Sequence, residues 1–145
     1  YSLVRSLIKK RNITKQLKKD LLKPTKIYTK EILNLTSKNL INAAVHVTGG
    51  GLVENIVRSV PDNLCANIDL SKLRPQQIFK WIKSQHISDM EMLKTFNCGV
   101  GFCIIINKIN LHKIKRYFKR AFQPYVIGYI SKKREKLKLL NSIKW

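Results

Sequence analysis

Apolar positions in this chain switch between helical and alternating spacing, which divides it into helices and strands. From Ser2 to Lys10, Leu3, Val4, Leu7 and Ile8 recur at helical intervals with Arg5, Lys9 and Lys10 opposite, predicting a surface helix packed on the rest of the protein. Arg11 to Lys23 is lysine-rich and weakly patterned, and reads as a variable excursion. Pro24 then stands near the first turn of a second helix whose apolar face carries Tyr28, Ile32, Leu33 and Leu35, ending at Ser37-Lys38-Asn39. Asn42 to Thr48 alternates with period two: Ala44, His46 and Thr48 share one face of a strand, and Ala43, Val45 and Val47 the other. Gly49-Gly50-Gly51 follows, then an amphipathic helix from Leu52 to Val60, stopped at Pro61-Asp62-Asn63.

The second half repeats the alternation of element types. Leu64 to Leu70 reads as a strand and Gln76 to Ser84 as a helix with Ile78, Phe79 and Ile82 inward and Pro75 at its start. Ser88-Asp89-Met90-Glu91 is a capping box for a short helix ending at Lys94. Phe102 to Asn107 is almost unbroken apolar, as in a central strand covered on both faces. Asn110 is placed to cap a helix with Leu111, Ile114, Phe118 and Phe122 on one side and Lys and Arg on the other. Tyr125 to Ser131 is a last strand. Strands separated by helices make an α/β (α+β) fold, a mixed sheet flanked by helices. Residues 1–131 form one domain, and residues 132–145 a basic C-terminal tail with too little pattern to place.

Five of the 6 glycines lie in two loops beside strands, Gly49 to Gly51 and Thr95 to Gly101. A Gly triplet is more often a plain turn than a ligand loop, but two such concentrations mark places where backbone approaches a ligand or other backbone closely. The first loop runs from a strand into a helix, so backbone N–H groups and the positive end of the helix dipole face what lies in front, an anion site by construction. His46 and Thr48 point to the same side of the strand, next to it.

Charge changes this picture less than its size suggests. The net charge is +21, from 29 basic and 8 acidic residues. That balance ordinarily calls for nucleic acid. Yet 22 of the basic residues are Lys and 7 Arg, against the preference of base and phosphate readout for the arginine fork. Ala43 to Arg58 holds one basic residue, so the candidate site is not a basic groove. Nucleic acid is not the expected partner. Cys65, Cys98 and Cys103 lack metal-ligand spacing and read as free thiols. No apolar run approaches a membrane span, so a cytoplasmic protein without a membrane partner is expected. The chain opens on Tyr1 rather than Met and is expected to be part of a longer protein.

Several blocks in series resemble one family. They are Tyr1-Ser2-Leu3-Val4-Arg5, Leu22-Lys23-Pro24-Thr25-Lys26-Ile27-Tyr28, His46-Val47-Thr48-Gly49-Gly50-Gly51-Leu52-Val53-Glu54-Asn55, Val60-Pro61-Asp62-Asn63 and Thr95-Phe96-Asn97-Cys98-Gly99-Val100-Gly101. In order and spacing they resemble the C-terminal half of aminoimidazole ribonucleotide synthetase, the phosphoribosylformylglycinamidine cyclo-ligase of purine biosynthesis. The resemblance implies a partly ferredoxin-like domain that works with an N-terminal ATP-binding domain, the complete enzyme being a homodimer. It implies Mg-ATP-dependent activation of the formyl oxygen of formylglycinamidine ribonucleotide, followed by closure of the imidazole ring. His46 matches a histidine taken to be catalytic. Thr48, Gly49, Gly50 and Gly51 would cradle substrate, Asn55, Thr95 and Asn97 would position its polar groups, and Gly99 and Gly101 would permit close approach.

The departures also carry expectations. The ATP-binding half is absent, as is the first strand of this domain, which should precede Tyr1. ATP and Mg2+ are therefore expected on the missing domain, no metal site is expected here, and this piece alone is expected to be inactive. Phe102 stands where the family commonly has methionine. Two alternatives remain: a related ATP-dependent enzyme of the same superfamily, and a non-catalytic basic module that binds nucleic acid.

Overall fold

The computed structural model describes residues 2–9, 13–119 and 123–145. Helix α1 (Ser2–Lys9) buries Val4 and leans Leu7 and Ile8 on the core. The supposed excursion contains a helix, α2 (Lys15–Leu21), which Thr14 caps by accepting from the Leu17 N–H at 3.2 Å. Leu17 is buried, and Asp20 closes the far end by pairing with Lys23 at 2.6 Å. Helix α3 (Thr29–Ser37) starts later than Pro24 suggests, and Asn39 takes a left-handed turn just past its end. Leu35 is wholly buried, but Leu33 is 62% exposed, so the apolar face is narrower than expected.

Strand β1 (Ala43–His46) leads through the glycine loop into α4 (Gly51–Arg58), and β2 (Leu64–Asp69) into a 3-10 turn at Leu70–Lys72. Helices α5 (Gln77–Lys83) and α6 (Asp89–Thr95) follow. Ser88 caps α6 through the Glu91 N–H at 3.2 Å, while the Glu91 carboxylate accepts from Thr95 Oγ1 instead of closing the box. After β3 (Phe102–Ile105), the helix expected from Asn110 is a single α-turn, α7 (Leu111–Ile114), between two 3-10 turns. Asn107, not Asn110, supplies the side-chain cap, to Ile109 N at 3.1 Å. Phe122, expected on that helix, lies outside the described residues.

The strands form two sheets. β1 and β3 make an antiparallel ribbon in the register Ala43–Ile105 to His46–Phe102. β4 (Gly128–Lys132), β2 and β5 (Leu137–Leu140) make a mixed sheet in the order β4–β2–β5, antiparallel then parallel. Asn67, buried in β2, ties β4 on by donating to Ser131 Oγ at 2.8 Å.

Two expectations change here. The 132–145 segment is not a loose tail, because β5 pairs along β2, Ile143 is buried, and Trp145 Nε1 donates to Asp89 at 3.0 Å. The Phe102–Asn107 run is not a central strand among the described residues: β3 pairs with β1 alone and is half-buried throughout. The α/β class stands, with helices packed on a mixed sheet and on an antiparallel one. The core that joins them includes Val45, Val47, Leu52, Ile56, Ile68 and Leu93.

Candidate functional site

The alternation expected of the first strand is present: Val45 and Val47 are buried, while Ala44, His46 and Thr48 are exposed. His46 lies over Phe102, its partner across the ribbon, with ring centroids 5.6 Å apart and planes 25° apart. Tyr28, which follows the Pro24 segment, closes the cluster at 5.2 Å from Phe102 and 6.2 Å from His46. Burial raises the Tyr28 hydroxyl above its ordinary pKa. The imidazole is thus backed by aromatic rings while its face of the strand stays open. Sequence reading assigned Tyr28 only to a helix face. Its membership of the Leu22 to Tyr28 block was the signal that could have flagged it.

The three glycines differ in what they do. Gly49 is exposed, and a Cβ there would meet nothing within 4 Å. Gly50 is left-handed at φ 89° and caps α4. Gly51 is also left-handed, φ 62°, and is buried where a Cβ would run into the backbone of Leu93 and Lys94. Gly51 therefore lets the start of α4 press on the end of α6, a packing role rather than a ligand contact.

Asn55, expected to touch substrate, is 5% exposed and turned toward the loop. Its Nδ2 donates to Gly51 O at 2.7 Å and Gly49 O at 3.0 Å, with Thr48 O at 3.5 Å. In a trans peptide the N–H points opposite the C=O. Drawing those carbonyls onto Asn55 therefore turns the N–H groups of Gly49, Gly50 and Leu52 away from it. The Gly51 N–H is spent on Thr48 O, 3.1 Å. Asn55 braces the glycine loop from behind.

The second loop adjoins the first. Val47 N–H donates to Gly101 O at 3.1 Å, and α4 rests on α6 just before Thr95. The loop's side chains serve mainly its own shape. Asn97 Oδ1 accepts from Gly99 N at 3.0 Å, and Thr95 Oγ1 is held by Glu91 at 3.0 Å. Gly99, φ 92°, passes close to the Arg74 carbonyl, and a Cβ on Gly101 would strike the Tyr28 hydroxyl. Cys98 is buried with Sγ 3.5 Å from Met92 O. Burial pushes the thiols of Cys98 and Cys103 up to about 12, so neither offers a thiolate nucleophile near neutral pH.

The arrangement can hold an anionic group on neutral backbone amides beside an accessible imidazole. Among the described residues no three His, Cys, Asp or Glu converge as metal ligands. No helix among them is long and apolar enough to cross a membrane.

Residues 1–139 match the family described as AIR synthase related protein, C-terminal domain. The chain is 42% identical over 120 residues to the phosphoribosylformylglycinamidine cyclo-ligase of Streptococcus pneumoniae serotype 4, covering 82% of this chain and 35% of that protein. It is 38% identical over 118 residues to a bifunctional purine biosynthetic protein of Pichia angusta, covering 80% of this chain and 15% of that one. The chain therefore spans about a third or less of the relatives it matches.

Proposed function

The chain belongs to the AIR synthase related C-terminal domain family, and from that premise we propose that it is the substrate-side part of a cyclo-ligase making aminoimidazole ribonucleotide. The observation that carries this reading is the Asn55-clamped loop beside His46, on the open face of β1. In the proposed reaction the formyl oxygen of formylglycinamidine ribonucleotide is phosphorylated and the amidine nitrogen attacks the activated carbon. The carbon–oxygen bond breaks, phosphate leaves, and the nitrogen gives up a proton as the ring closes. ATP, assigned with Mg2+ to the part of the enzyme outside these residues, supplies the phosphoryl group.

The residues of this chain have narrower tasks. The N–H groups of Gly49, Gly50 and Leu52 hold the substrate phosphate, which suits them because they are turned away from Asn55 and carry no counter-charge. His46 gives or takes the proton at the formyl or amidine end, and Phe102 and Tyr28 hold its ring in place. Thr48, on the same face, offers a hydroxyl to the bound nucleotide. Thr95 and Asn97 set the neighbouring wall through the loop they shape.

The test is ATP-dependent phosphate release with formylglycinamidine ribonucleotide, using this chain, the N-terminal domain of the pneumococcal relative, and their mixture. Turnover in the mixture alone is the expected result. A folded, associated mixture that stays silent would overturn the reading.

A further inference from the structure

Helix α6 is held at both ends, and the two holds belong to different parts of the protein. Its last turn meets the glycine loop, where Gly51 packs on the backbone of Leu93 and Lys94. Just beyond, Phe96 N–H donates to Met92 O at 2.8 Å and Cys98 Sγ reaches the same carbonyl, so the second loop starts from this end as well. Its first turn meets residues that arrive from the mixed sheet.

Beyond β5 the chain forms a strap. Asn141 turns it at φ 58° and donates Nδ2 to Asp69 Oδ1, at the end of β2, at 2.8 Å. Ile143 is buried and joins the core. Trp145 then donates Nε1 to Oδ1 of Asp89, the first residue of α6, at 3.0 Å. The same carboxylate oxygen takes the Lys83 ammonium at 2.7 Å. That ammonium also donates to Ile87 O at 2.8 Å and lies 5.9 Å from the centre of the Trp145 ring. The strap, the end of α5 and the start of α6 thus meet on one carboxylate. Asn141, Ile143 and Trp145 lie past the residues 1–139 that the family matches, so the strap is not part of what that match describes.

We infer that Trp145 is a positioning residue for the glycine loop, acting through Asp89 and α6. The helix has 7 residues and is about 10 Å long, with Met92 and Leu93 buried in the close-packed core, so it moves as one rigid piece. Releasing its first turn lets it tilt. The tilt moves the Leu93 carbonyl, and the contact with Gly51 is too close to absorb the shift. Gly51 opens α4, and its N–H closes the turn on Thr48 O at 3.1 Å, so the loop shifts with it. This link stands on packing alone, while its bearing on substrate rests on the reading of Gly49 to Gly51 as the phosphate cradle.

Trp145→Phe keeps an aromatic ring and removes the N–H. Amide exchange in the 145-residue chain is followed at Gly51 and Phe96, and at Asn42, whose N–H bonds to Ile105 O across the β1–β3 ribbon. Exchange at Gly51 and Phe96 is expected to speed about tenfold, the size expected of one hydrogen bond to a charged group, with Asn42 unchanged. In an Asp89→Ala background the same substitution should add nothing, because the two residues act as one link. In the mixture with the N-terminal domain of the pneumococcal relative, Trp145→Phe should raise KM for formylglycinamidine ribonucleotide about fivefold and leave kcat within about twofold. The inference is overturned if Gly51 and Phe96 exchange at the original rate, or if Asn42 speeds by the same factor, as a general loss of stability would make it. It is equally overturned if the effect persists in the Asp89→Ala background, or if KM is unaltered in an active mixture. A wild-type mixture that stays silent counts against the cyclo-ligase reading alone, and the exchange series still decides the link.

Discussion

Replacing each glycine of the Gly49 to Gly51 turn by alanine should give three different stabilities from one chemical change. At Gly51 the added methyl meets the carbonyl of Leu93, a backbone atom that cannot swing aside, and the residue must keep φ 62°. The left-handed conformation costs alanine roughly 1–2 kcal/mol, and overpacking adds roughly 1–3 kcal/mol. Gly51→Ala should therefore lose about 2–5 kcal/mol, a large part of the roughly 5–15 kcal/mol that holds a domain folded. At Gly50 the methyl meets only Glu54, whose carboxylate can rotate away while its Cβ at 3.0 Å must give slightly, so the conformational cost of about 1–2 kcal/mol dominates. At Gly49 neither φ nor space opposes it, and the change should stay within about 0.5 kcal/mol. Urea melts of the three variants measure the series, with Tm for Gly51→Ala lower by roughly 6–15 °C. If Gly51→Ala is as stable as Gly49→Ala, the close approach of α4 to α6 is not what glycine is there to allow.

Three further outcomes are expected. Asn55→Leu removes the donor behind the loop and should cost about 1–3 kcal/mol, with faster amide exchange at Gly51, whose N–H is bonded to Thr48 O; unchanged exchange would refute the clamp. In a reconstituted enzyme, His46→Gln should lower kcat far more than it changes KM, and normal turnover would remove His46 from the mechanism. The third concerns acid. The Lys83 ammonium and Trp145 hold the Asp89 carboxyl below its ordinary 3.8, and Asn141 and Ser71 do the same for Asp69. A depressed carboxyl contributes stability that is present above its unfolded pKa and lost as pH falls through the folded value. Docking of the C-terminal segment should therefore hold at neutral pH and fail as pH drops below about 3.8. Trp145 fluorescence in a Trp81→Phe background reports it; an unchanged signal at pH 2 in a folded chain would refute it.

The parts of the fold that were legible in the sequence are those where pattern and punctuation agree. Alternation from Ala43 to Val47 with glycines after it gave the strand, turn and helix, and Ser88 gave the start of α6. Short elements among lysines were hidden. Thr14 and Leu17 signal α2, and Leu137, Lys138 and Leu139 alternate as β5 does, but each pattern spans too few residues to outweigh its surroundings. The site was legible in its residue types and not in their directions. Asn55, Asn97 and Thr95 are the polar groups a binding site would need, yet each faces backbone or a neighbouring side chain. What decides this is whether a buried loop carbonyl or amide needs a partner, and that demand exists only after the two loops are stacked. The continuous apolar run from Phe102 fits a central strand, and the second neighbour such a strand needs is absent among the described residues.

The Asn55 clamp also separates two kinds of attraction in one molecule. Across the surface, charge of +21 gathers any polyanion indiscriminately and weakens with salt. In the proposed site the loop would attract with oriented dipoles fixed by a neutral side chain, so its hold on a small anion would depend more on shape and direction than on ionic strength. On that proposal, heavy surface charge drift leaves the loop unchanged, because its carbonyls are oriented by one amide group and not by the count of lysines.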